Sequence, residues 1–187
     1  PIGQEAKFKR AKAAYYVGDF KWAEGIFNVL KASTSKLIAN DAMSYSMLIN
    51  DNVALDTNTE AMTMYAKADL MNYQNKYDSA IRVLDMMDIA FPDHPIQDEV
   101  LFLKSKILTK QKRYEEAAIS LQAIVTLHKK DILADDALYA LAQLYELQLG
   151  KPVEAQKLYQ QLFTEHPDSF FTSDARKRFR ALRGDTI

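Results

Sequence analysis

The stretch Tyr65–Asp93, YAKADLMNYQNKYDSAIRVLDMMDIAFPD, and the stretch Phe102–Lys130, FLKSKILTKQKRYEEAAISLQAIVTLHKK, decide the fold when one is laid over the other. They are offset by 37 residues and carry the same residue types at the same places: Tyr65 over Phe102, Ala68 over Ser105, Tyr77 over Tyr114, Ala80 over Ala117, Leu84 over Leu121 and Met87 over Ile124. A third stretch, Tyr139–Asp168, continues the series with Tyr139 and Ala142 and then, one residue late, with Ala155, Tyr159 and Leu162. Upstream, Phe8 precedes Tyr45 by 37 residues, and Phe27 stands 57 residues before Leu84. A period of this size implies a stack of helical pairs rather than a catalytic fold.

Apolar residues at i, i+3, i+4 and i+7 predict about ten helices, near 4–17, 20–33, 38–54, 59–74, 77–91, 96–111, 114–128, 132–149, 152–165 and 169–183. Only five Gly and five Pro occur in 187 residues, well below the roughly 12% of average usage, and most stand where helices must end: Gly18, Pro92, Pro95, Gly150, Pro152, Pro167 and Gly184. Connections such as Val17-Gly18-Asp19 and Gln74-Asn75-Lys76 are short, so consecutive helices are antiparallel neighbours. Within a pair, Ala68 and Ala80 are small because two backbones must approach to about 8–10 Å. Phe91-Pro92-Asp93 ends its helix, since proline disfavours the helical region for the residue before it.

Composition narrows the chemistry. With 48% apolar residues the chain can build a core, and a formal charge of -1 gives no global attraction to nucleic acid or an anionic membrane. The absence of cysteine excludes disulfides, thiolate metal sites and Cys nucleophiles. No apolar run reaches the roughly 20 residues that span a bilayer. The start, Pro1-Ile2-Gly3-Gln4, has neither an initiator Met nor a signal peptide, which reads as a piece of something longer. The chain contains no HExxH, no GxSxG and no Gly-rich phosphate loop. His128 and His166 fall at equivalent unit ends, where a helix C-terminus favours them, and successive repeats set such positions too far apart to share one metal. Glu115-Glu116 and Asp135-Asp136 sit at predicted helix starts, which the helix dipole explains. No cofactor, metal or catalytic residue is expected.

The pattern resembles the tetratricopeptide repeat, whose signature places small residues at its eighth and twentieth positions, an aromatic at the seventeenth and often proline near the end. Ala11/Ala23/Phe20, Ala68/Ala80/Tyr77/Pro92, Ser105/Ala117/Tyr114 and Ala142/Ala155/Pro167 carry the resemblance. The 37-residue step and the ends Phe91-Pro92-Asp93 and His166-Pro167-Asp168-Ser169 look like the bacterial envelope variety, as in BamD-like and YbgF-like proteins and the large repeat proteins of Bacteroidetes. The resemblance implies an all-α right-handed solenoid forming a single array over 1–187, with units near 4–37, 59–95, 96–131 and 132–168. An irregular or extra helix is expected at 38–58, where Leu48 replaces the small residue, and a capping helix at 169–183.

The resemblance further implies that Phe8, Tyr65, Phe102 and Tyr139 face a concave groove together with Lys12 and Tyr16, Asp69 and Tyr73, Lys106, and Gln143. Glu5, Tyr15, Met62, Lys110 and Glu146 extend that face. Tyrosines with apolar bodies and polar tips suit a peptide or partner helix; alternatively, the rings pack adjacent repeats. The carboxylate-clamp asparagine is replaced by Lys12, Asp69, Lys106 and Gln143, which disfavours capture of chaperone C-termini. The implied function is a non-enzymatic protein-interaction scaffold with a protein or peptide partner, in the bacterial envelope by resemblance alone and otherwise cytoplasmic. A structural spacer within a larger protein is the alternative, and a carbohydrate- or lipid-binding solenoid the third. The basic run Arg176-Lys177-Arg178, Arg180 and Arg183 reads as the solvated face of the cap, against a phosphate- or headgroup-binding reading.

Overall fold

The computed structural model describes residues 2–33, 35–53 and 59–185. Among them every regular element is a helix: α1 Ile2–Tyr16, α2 Phe20–Leu30, α3 Lys36–Val53, α4 Glu60–Tyr73, α5 Tyr77–Ala90, α6 Gln97–Lys110, α7 Tyr114–Leu127, α8 Ala134–Leu147, α9 Pro152–Glu165 and α10 Thr172–Arg183. The fold is all-α, built from consecutive helices packed in pairs, with α1 on α2, α4 on α5 and α8 on α9. The chain divides into two compact units, Pro1–Gln97 and Asp98–Ile187.

The small residues of the repeat lie where the helices meet. Ala11, Ala23, Ala68, Ala80, Ala117, Ala142 and Ala155 are wholly buried, and Ser105 nearly so. Larger residues fill the remaining space. Phe27, Leu84, Met87, Ile124, Tyr159 and Leu162 are fully enclosed, each aliphatic one contributing about 1.5–3 kcal/mol of transfer free energy.

The expected extra helix exists as α3, which packs against α2 and α1. Its inward stripe is Ala42, Ser46 and Ile49, with Leu48 half-buried beside it. The small contact residues have therefore shifted two and six positions N-terminal to Leu48. The rest of the expected irregular stretch, residues 54–58, lies outside the described residues. Helix α10 begins at Thr172, three residues later than predicted. The Ser169 side chain accepts from the Phe171 N–H at 3.2 Å, and the Thr172 N–H bonds the Ser169 carbonyl, so these residues form a turn.

Candidate functional site

In the first unit the predicted site residues of α1 and α4 converge with one residue of α3. The Lys12 ammonium lies 5.4 Å from the Tyr16 ring centroid, 5.2 Å from that of Tyr45 and 4.8 Å from that of Tyr73. Tyr45 donates from its hydroxyl to Asp69 at 3.0 Å. Helical spacing puts Lys12 and Tyr16 on one face of α1 and Asp69 and Tyr73 on one face of α4, which are the faces that meet. Burial depresses the Lys12 pKa against the opposing pull of Asp69 and Asp41. Burial likewise raises the hydroxyl pKa values of Tyr16 and Tyr45, with the Asp69 charge adding to the effect. Tyr73 is 66% exposed, so the box opens to solvent on that side. No described carboxylate forms an ion pair with Lys12. The arrangement holds a cation on three π faces and leaves its ammonium donors available.

Tyr45 was legible as the residue in frame with Phe8, but not as a wall of this site. Its ring stacks on Phe27 at 5.0 Å and meets Phe8 at 6.1 Å and Tyr15 at 5.1 Å. Phe8 itself contacts Phe27 at 5.6 Å and is half-buried, while Tyr65 and Met62 are buried. These aromatics lie within the packing that supports the box.

In the second unit Lys106 stands 4.1 Å over the Phe102 ring one helical turn earlier on α6. Asp136, at the start of α8, has its carboxyl pushed up to about 6, mainly by burial and then by Asp135, with Lys106 opposing. Tyr139 and Gln143 of α8 belong to a separate cluster. Gln143 donates to the Tyr139 hydroxyl at 3.1 Å, and that hydroxyl donates to Asp174 of α10. Phe171 stacks on the Tyr139 ring at 4.4 Å. Arg178 donates to Asp174 at 2.8 Å and to Glu146 at 3.1 Å, and Glu146 also accepts from Tyr159 at 2.6 Å. The hydrogen bonds from Tyr139 and then Arg178 hold the Asp174 carboxyl below its usual range. Arg178 therefore departs from the solvated face expected of the basic run: its guanidinium bridges two helices. Arg176, Lys177, Arg180 and Arg183 are exposed.

The structure brings Lys12, Tyr16, Asp69 and Tyr73 of the expected face together in the first unit. Sequence spacing does not reach Asp174 and gives Arg178 only as part of the basic run; the one signal for their pairing is an acid four residues before a base on the capping helix. Among the described residues no group of three or more His, Asp or Glu side chains could hold a metal ion. No described helix is long and apolar enough to cross a membrane. No curated protein matches the sequence. The tetratricopeptide repeat family model matches residues 136–169, which cover most of α8, its turn and all of α9.

Proposed function

We propose that this chain is a non-enzymatic interaction scaffold that binds a peptide or helix of a protein partner. The open tyrosine box around Lys12 carries the reading: a half-buried ammonium held over three rings, its pKa depressed by burial in spite of the Asp69 and Asp41 charges, beside an aromatic ring two-thirds exposed, is costly to maintain and useful for recognition. Lys12 and Tyr73 contact the partner, while Tyr16 and Asp69 fix their geometry. Lys106 over Phe102 supplies a similar pair at the equivalent repeat position in the second unit. The repeat match at 136–169 supports the general role, because such repeats mediate protein–protein contacts. The resemblance to envelope repeat proteins supports a place in envelope assembly.

The test is capture with immobilised wild-type chain and a Lys12→Ala/Tyr73→Ala variant, followed by titration of the retained protein after its separate purification. The interaction reading expects at least a tenfold loss of affinity in the variant at an unchanged melting temperature. Equal affinity of both chains would favour the spacer reading, in which the aromatics serve packing alone.

A further inference from the structure

We propose that the outward side of α10 is a docking surface for an anionic phospholipid bilayer, attracted by Arg176, Lys177 and Arg180 and anchored by Phe170. The inference goes beyond the protein-interaction reading and does not depend on the Lys12 box.

The two sides of α10 carry different chemistry. Thr172 and Ala175 are buried against the chain, and Arg178 is engaged by Asp174 and Glu146. Helical spacing lines up Phe170, Ser173, Lys177 and Arg180 along the outward side, with Arg176 beside them, and all five are exposed. Among the described residues no carboxylate forms an ion pair with Arg176, Lys177 or Arg180, because Asp174 is taken by Arg178 and Asp185 by Arg183. The neighbouring face of α9 adds no counter-charge: Phe163 lies under the Arg176 guanidinium at 5.5 Å, and Gln156 and Gln160, on the same face, are uncharged. A guanidinium laid on a ring keeps its N–H edge free for phosphate oxygens.

The polar cap that a repeat stack requires accounts for the cations but not for Phe170, which is 92% exposed. An aromatic ring in line with unpaired cations matches a bilayer interface, where the ring sits at headgroup level and the cations meet the lipid charge. A nucleic-acid strand fits less well. Phe163 and Phe179 lie under the guanidinium groups of Arg176 and Arg183 and are not open for base stacking. Three free cations also fall short of the roughly six to ten phosphate contacts of a strong nucleic-acid binder. The whole chain, at a formal charge of -1, is not drawn to an anionic surface. The attraction is local and acts within a Debye length, about 8–10 Å at moderate salt.

The test is co-sedimentation of the full chain with vesicles of phosphatidylcholine alone or of phosphatidylcholine and phosphatidylglycerol in equal parts. Binding to the mixed vesicles is expected to be at least tenfold stronger and to fall as salt is raised. Each cation near an anionic bilayer contributes about fivefold, so Lys177→Gln/Arg180→Gln should lose at least tenfold. Phe170→Ser should lose severalfold while keeping the salt dependence. Lys21→Gln/Lys31→Gln, which removes the same charge from exposed residues of the first unit, should bind as wild type does. All these changes fall on exposed side chains, and an unchanged melting temperature shows that each variant is folded. Equal binding to both kinds of vesicle overturns the proposal, and so does an equal loss in the Lys21/Lys31 pair. Indifference to Phe170→Ser overturns it too, because only unspecific charge would remain. Tighter binding of oligothymidylate or polyglutamate than of vesicles through Lys177 and Arg180 would assign the surface to nucleic acid or to an acidic protein segment and overturn the bilayer form. None of these variants touches Lys12 or Tyr73, so partner capture at that box stands or falls on its own test.

Discussion

Tyr15 sits at the centre of the first unit with its ring fully enclosed, and its hydroxyl meets no partner among the described residues. Enclosing an unpaired hydroxyl costs about 1–3 kcal/mol, and burial accordingly pushes its pKa well up. Tyr15→Phe is therefore expected to leave stability unchanged or raise it by about 1 kcal/mol in urea denaturation; a comparable loss would mean that the hydroxyl is engaged. Asp136 makes a prediction in pH. Its carboxyl titrates near 6 when folded against 3.8 as the reference. The folded state thus holds the proton more tightly: the group favours folding below about pH 4, and that contribution disappears as pH rises through 6. Asp136→Asn should stabilise the chain at pH 7.5 by on the order of 1–2 kcal/mol, with the difference vanishing near pH 4. Thermal melts at the two pH values check it, and a gain equal at both would assign the effect to something other than titration. At this scale the sequence announced the small contact residues, because size is a property of one side chain. It could not announce that Tyr139 meets Asp174 and Arg178, since partners 35 and 39 positions away depend on how α10 is laid down.

The elements were legible to within about three residues because both their periodicity and their ends repeat. The turns show why. Gly18, Asn75, Lys112 and Gly150 all adopt left-handed backbone, with φ of 87°, 58°, 61° and 61°, and they are separated by 57, 37 and 38 residues, the same steps as Phe27, Leu84, Leu121 and Tyr159. Each closes the first helix of a pair so that the second can fold back. Glycine marks two of these positions and asparagine a third, but a lysine there gives no sequence signal. Lys112 pays the steric cost of that region, so Lys112→Gly should stabilise by roughly 0.5–1 kcal/mol despite the added freedom of the unfolded chain. At Gly150 an added Cβ would meet nothing within 4 Å. Gly150→Ala should therefore cost about 1 kcal/mol from conformation alone. Opposite signs for the two substitutions in denaturant unfolding establish the shared turn; equal signs would refute it. The links between successive pairs repeat as well. Backbone N–H groups of His94, Asp131 and Ser169 bond the carbonyls of Phe91, His128 and His166, and those of Gln97, Ala134 and Thr172 bond the next three in turn. At α10 this turn, closed by the Ser169 and Thr172 N–H groups, occupies the residues where the periodicity predicts the helix to start.

A repeat chain has no single centre, and that decides both what was readable and what is fragile. The core is a succession of contacts between neighbouring helices, such as α4 on α5 and α8 on α9, with the small residues Ala68, Ala80, Ala142 and Ala155 buried in them, so one period predicted much of it. The candidate residues were only half readable for a related reason: their types recur in sequence, but Tyr45 of α3 in the first unit and Asp174 and Arg178 of α10 in the second complete their contacts, and neither helix belongs to one of the matched pairs. Stability should follow the succession too. Ala117 is wholly buried on α7, and Ala117→Leu forces extra bulk between closely packed helices, for an expected loss of about 1–3 kcal/mol. With contacts confined to neighbours, hydrogen exchange should show that loss first in α6, α7 and α8, while α1 and α2 keep wild-type protection. Uniform loss along the chain would mean that the molecule opens as one cooperative body. A neutral substitution would mean that Ala117 is not held between paired backbones, and the 37-residue alignment that places it there would fail.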